Sequence, residues 1–168
     1  LGAGDDKSVT FATKGSTFIS LSVQGDIGVT VQTGITTTTG RLHLNGDADD
    51  SATGDTGNTV TIADGKTLFA GVAEESGGHL SLKANSGSII ASGSLTLEAE
   101  NGIYIRDTFT GSSTANKPIV MNSDSDSNAS GATAGILTVH TGKTLTSKNN
   151  NVVITAFDVD IDGSISSG

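Results

Sequence analysis

Apolar and polar residues alternate along nearly the whole chain. The pattern runs through "SVTF" (8–11), "ISLSV" (19–23), "IGVTV" (27–31), "RLHL" (41–44), "TVTI" (59–62), "HLSLKA" (79–84), "SLTLEA" (94–99), "GIYI" (102–105), "ILTVH" (136–140), "VVITA" (152–156) and "FDVDI" (157–161). A period of two sends successive side chains to opposite faces of a strand. The runs are short, rich in β-branched residues and bounded by Gly, Asn, Asp or Ser, which is the strand signature. No window places apolar residues at helical spacing, so no substantial helix is expected. The alternation predicts an inward set of Val9, Phe11, Leu21, Val23, Val29, Val31, Val60, Ile62, Leu80, Leu82, Leu95, Leu97, Leu137, Val139, Ile154, Val159 and Ile161.

Internal repeats narrow the fold. "LNGDADDSATGDTGNTVTIADGKTL" (44–68) aligns without a gap on "MNSDSDSNASGATAGILTVHTGKTL" (121–145). Asn45 meets Asn122, an offset of 122 − 45 = 77, and "GKTL" recurs intact. A shorter echo links "LSLKANSGSII" (80–90) to "LTLEAENGIYI" (95–105), and "VVITAFDVDIDGSI" (152–165) resembles both. In "VVITAFDVDI" the inward set Val152, Ile154, Ala156 gives way to Phe157, Val159, Ile161 with no loop between. Such a phase change marks a corner rather than a hairpin. The chain therefore reads as all-β: a single domain, 1–168, folded as a right-handed parallel β-helix of about seven rungs at roughly 22 residues per rung. The Asp/Ser/Gly-rich segments near 45–58 and 122–135 are expected to protrude as loops from one corner of two different rungs.

Composition fits this reading. Gly is 23 of 168 residues, Pro 1, Trp 0, and aromatics are 4%, so the core must be built from Val, Ile and Leu. Ser and Thr make up about a quarter of the chain, well above ordinary usage. A net charge of −9 argues against nucleic acid, which needs a basic face. With no Cys there is neither a disulfide framework nor thiolate chemistry. No stretch approaches the roughly 18 apolar residues of a membrane helix, so membrane insertion is not expected. The chain starts "LGAGDD" with no initiator Met or signal peptide, as a processed product or a piece of something longer would.

"ITAFDVDIDGSISSG" followed by "GAGDDKSVTF" resembles repeats of large secreted β-helical proteins, the filamentous-haemagglutinin-like adhesins and related giant surface or fibre proteins. The likeness covers the whole chain in style and residues 152–165 as a motif. It implies an extracellular or cell-surface location and a structural or adhesive role. It transfers no catalytic residues.

Candidate chemistry is sparse. Asp158, Asp160 and Asp162 should project outward in a row about 6.5–7 Å apart. Either a divalent cation or a partner's Lys relieves their repulsion, or the row is a solvated face that keeps an edge from sticking. Asp47, Asp49, Asp50 and Asp55, with Asp124 and Asp126, sit on the acidic loops. They could supply oxygens to Ca²⁺, the one candidate cofactor, though the EF-hand spacing is absent. Asn128 lies in the one glycosylation sequon, "NAS". Outward Ser and Thr (Thr10, Ser22, Thr30, Thr61, Ser81, Thr96, Thr138) would form hydroxyl ladders on stacked rungs. Ice binding wants fuller T-x-T arrays than these. A polysaccharide-processing groove would need basic and acidic groups together, and the chain has only Arg41 and Arg106 as arginines. Tyr104, Phe109 and Phe69 are the candidate aromatic platforms. His43, His79 and His140 lack metal-ligand spacing, and no nucleophile or phosphate-loop motif occurs, so the chain is read as a non-enzyme.

Neither end reads as a cap. Residues 1–13 already form a turn and a strand, and "GSISSG" (163–168) reads as an unfinished rung. The expectation is a head-to-tail filament of copies of this chain, tandem or separate, joined through Val9, Phe11, Phe157, Val159, Ile161 and Ile165. The alternatives are an adhesin or glycan-, surface- or ice-binding module, and then a polysaccharide-processing enzyme.

Overall fold

The computed structural model describes residues 1–2, 4–51, 56–71, 78–127 and 135–168. These residues form strands, corners and turns, with no helix among them. The first rung holds β1 (Val9–Phe11), β2 (Ser16–Phe18) and β3 (Leu21–Gln24). The second holds β4 (Val29–Val31), β5 (Ile35–Thr37) and β6 (Leu42–Asn45), and the third β7 (Val60–Ile62), β8 (Lys66–Ala70) and β9 (Leu80–Lys83). The fourth holds β10 (Ile89–Ala91), β11 (Leu95–Ala99) and β12 (Ile103–Ile105), and the fifth β13 (Phe109–Thr110), β14 (Ile119–Asn122) and β15 (Ile136–Val139). The sixth holds β16 (Thr144–Thr146), β17 (Val152–Thr155) and β18 (Asp158–Ile161), and β19 (Ser164–Ser166) opens a seventh.

Every third strand pairs, always in parallel, so the three strands of a rung feed three sheets. The first sheet runs β1-β4-β7-β10-β13-β16-β19, the second β2 to β17, the third β3 to β18. This is the parallel β-helix. A bare rung takes 20 residues: Val9 pairs with Val29, Ile89 with Phe109, Leu145 with Ile165. Longer rungs have longer segments between consecutive strands.

The core runs up the middle. Of the residues expected inward, Val23, Val29, Val31, Val60, Ile62, Leu80, Leu82, Leu97, Leu137 and Val139 are 0% exposed, and Phe11, Leu21 and Leu95 are buried. Val9 is partly buried. Ile154, Val159 and Ile161 point inward by register but are exposed. Phe109 corrects another expectation. It registers with Ile89 and Leu145 inside the first sheet and is 0% exposed, so it is core and no platform.

The 77-residue repeat is real in structure, and its meaning changes. Gly65 and Gly142 open the two "GKTL" turns with φ of 70° and 73°, a left-handed conformation that favours glycine. Yet Asn45 ends β6 on the third sheet and Asn122 ends β14 on the second. The offset spans eight strands, two rungs and two further strands. The 45–58 segment therefore leaves the corner between the third and first sheets. The 122–135 segment leaves the corner between the second and third, against the expectation of one shared corner. The shorter echo moves β9 and β10 onto β11 and β12, the same change of face. Each strand does the same work on all three faces, so the sequence repeats by strand and corner rather than by rung.

Candidate functional site

The last rung carries apolar residues that face inward by register and are uncovered, whereas the exposed Leu1 and Ile19 of the first rung lie at the chain start and at the corner between β2 and β3. In β17 to β19, Ile154 registers with Met121, Val159 with Leu137, Ile161 with Val139 and Ile165 with Leu145. All four partners are 0% exposed, whereas Ile154 is 36%, Val159 45%, Ile161 37% and Ile165 38% exposed. Phe157, at the corner before β18, is 55% exposed. The change of inward phase between β17 and β18 occurs as expected.

The first rung differs. Phe11, expected at the joining surface between copies, is already buried within the single chain. The Phe18 ring packs edge-on against it, centroids 6.4 Å apart. Leu1 and Gly2 lie over β3: the Leu1 ammonium donates to the Ser22 carbonyl at 2.7 Å, and the Gln24 amide donates to the Leu1 carbonyl at 3.0 Å. The Lys7 carbonyl accepts from the Asp26 and Ile27 amides.

The acids are spread out. Asp158 and Asp160 register with Ile136 and Thr138 on the outer side of the third sheet and are exposed, as is Asp162 at the next corner. Asp47 is fully buried, its carboxylate accepting from the Ser86 amide at 2.5 Å. Asp49 accepts from the Ser51 amide, and Asp50 pairs with Lys83 at 2.6 Å. Asp124 and Asp126 lie in the turn after β14, where the Asp124 carbonyl accepts from the Ser127 amide. Among the described residues no three His, Cys, Asp or Glu side chains gather as a metal site. Asn128 and Asp55 lie outside the described residues. Thr10, Thr30, Thr61, Thr110 and Thr146 stand in one outer column of the first sheet, interrupted by Ile90. It is a single column, not a paired array.

One arrangement was not visible as a motif. Ser22, His43, Ser81, Tyr104 and Thr138 are consecutive outward partners on the third sheet. Ser81 is small and lies between His43 and Tyr104, so it leaves a notch of about 200 Å³ lined by Arg41, His43, His79, Ser81 and Arg106. The His79 ring meets Tyr104 edge-on at 5.8 Å, and the Arg106 guanidinium lies 5.9 Å from the Tyr104 centroid. Burial, then the charges of Arg106 and Arg41, lower the His43 pKa to about 4. Burial and the same arginines lower that of His79. The signal was present in "RLHL", "HLSL" and "IYIR", whose outward positions carry these groups once the strands are stacked.

Comparison with protein-family models, curated proteins and solved structures finds no match to this chain.

Proposed function

We propose that this chain is a structural subunit or repeat of an extracellular filament, in which the last rung of one copy is covered by the first rung of the next. The observation that carries the reading is the row of inward-facing but exposed Ile154, Val159, Ile161 and Ile165 above fully buried register partners. Covering the exposed part of each of these side chains contributes about 0.5–1.5 kcal/mol, and an open strand edge is a template for pairing.

The order of faces at the two ends supports a specific fit. Gly2 bridges Gln24, so the winding starts on the third sheet and passes to the first and second. It finishes with β17, β18 and β19 on the second, third and first. The next strand belongs on the second. A following copy turned by one face brings its Gly2 segment onto β17, β1 onto β18 and β2 onto β19. Val9 and Phe11 then meet Val159 and Ile161, inward on inward. The internal repeat makes the same change of face. The contact is heterologous and does not close, so it propagates. Asp158 and Asp160 stay on the outside, where their charge opposes sideways clumping.

Val159→Lys and Ile165→Lys test the reading. Each should abolish concentration-dependent growth in light scattering while far-ultraviolet circular dichroism stays native. Growth at the wild-type rate by both variants would overturn it. The alternative, an adhesin or surface-binding module, has one observation in its favour, the Arg41–Arg106 notch.

A further inference from the structure

We propose that the notch on the outer face of the third sheet is a binding site for a compact oxyanion, a carboxylate, sulfate or phosphate carried on a ligand no larger than about one sugar ring. The size follows from the volume, about 200 Å³, below the roughly 300–1,000 Å³ of pockets that take larger ligands.

The charge distribution points to an anion. The chain has 18 acids against nine lysines and arginines. With acids in such excess, basic groups should find carboxylates easily. The three ion pairs among the described residues all use lysine: Lys83–Asp50, Lys117–Asp64 and Lys143–Asp107. Both arginines of the chain instead line this one notch, and among the described residues neither is in an ion pair. Lys83 already has its carboxylate, so the unneutralised charge here belongs to the two guanidiniums. A guanidinium presents a planar fork of donors matched to carboxylates and tetrahedral oxyanions.

The floor supplies a second, independent observation. Ser81 is 3% exposed, and its hydroxyl has no hydrogen-bond partner. A buried hydroxyl without a partner is costly, and a ligand oxygen seated in the notch would satisfy it. His43 and His79 form the walls. With its pKa near 4, His43 is neutral at pH 7 and offers one donor and one acceptor rather than charge. Such a site can fix an acidic group and hydrogen-bond the atoms around it. A net charge of −9 works against diffuse anion binding, so any affinity must be local.

The test is nuclear magnetic resonance titration at pH 7 and low ionic strength with four probes: inorganic phosphate, sulfate, galacturonate and neutral galactose. The proposal expects saturable shifts confined to β6, β9 and β12 with at least one of the three anions, and none with galactose. A bare-ion response assigns the site to phosphate or sulfate groups. A response to galacturonate alone assigns it to sugar acids. Arg106→Gln and Arg41→Gln should each weaken binding about tenfold or more with an unchanged fold, whereas Lys148→Gln, far from the notch in sequence, should not. Glu74 and Glu75 precede His79 in the chain and lie outside the described residues, so Glu74→Gln/Glu75→Gln is titrated in parallel. Absence of shifts with every anion, or equal affinity in the arginine variants, would overturn the proposal. So would an anion that binds only the Glu74→Gln/Glu75→Gln protein, which would assign the guanidiniums to those carboxylates.

Discussion

The first and last rungs of this solenoid obey the same alternation and end in opposite conditions. In the first, Phe11 is 9% and Leu21 7% exposed, and the edge beyond β3 is occupied by Leu1 and Gly2. In the last, Val159 and Ile161 occupy the same kind of position and are 45% and 37% exposed. The difference lies in what is stacked beyond each. In the first rung Phe11 and Phe18 pack on each other and Leu1 and Gly2 lie over β3, while among the described residues none stacks on the last. Alternation sets the direction of a side chain. Burial in a solenoid also needs a next rung, so an inward residue at an end is an interface residue by default.

The largest contrast is between the middle and the open end. Leu97→Asp places an unpaired carboxylate in a site that is 0% exposed and should unfold the chain, at a cost of several kcal/mol. Ile161→Asp should leave the isolated chain folded, costing about 1–2 kcal/mol for the partial burial it loses, because water already reaches the site. Urea melts of the two variants side by side decide the point, and equal destabilisation would break the contrast.

A smaller effect separates the two ends. Phe11→Ala removes a ring packed on Phe18 and should cost about 3 kcal/mol. Phe157→Ala in the isolated chain should stay within about 0.5 kcal/mol. Under assembling conditions the order should narrow, because Phe157 then gains a covering rung.

The smallest effect belongs to neither end. The His43 pKa is lowered to about 4 from an ordinary 6.5. The unfolded chain therefore binds the extra proton first as pH falls. The associated stability is complete above pH 6.5 and is lost as pH falls toward 4, reaching on the order of 1 kcal/mol after solvent screening. His43→Gln should flatten that part of the pH–stability curve while leaving both ends unchanged.

The strands with clear alternation and their inward residues were legible locally, and parallel pairing was legible from the internal repeats, whereas β2, β5, β8, β10, β13, β14, β16 and β19 were not read as strands. "VVITAFDVDI" even showed its corner, since a phase change needs no tertiary knowledge. The face of each loop was not legible. A 77-residue offset does not say how many strands it contains, and the count of eight puts residues 45–58 and 122–135 on different corners. The Arg41–Arg106 notch was missed for a related reason. Its residues fall on three rungs, and only the pairing of Leu42 with Leu80 and of Leu80 with Ile103 brings them together. The fate of Phe11 was missed because its cover, Phe18, lies one strand on and across the corner.

Electron microscopy of concentrated wild-type protein, with measurement of the helical rise, tests the end-to-end account most directly. Nineteen strands plus the Gly2 segment make twenty strand positions over three faces. At about 4.8 Å between stacked strands, the account predicts unbranched fibres one solenoid wide, with an axial rise of about 32 Å per copy. Successive copies should be rotated by about one third of a turn, apart from the solenoid's own twist. Uniform monomers at high concentration, or subunits paired side by side with the last rungs still open, would contradict it.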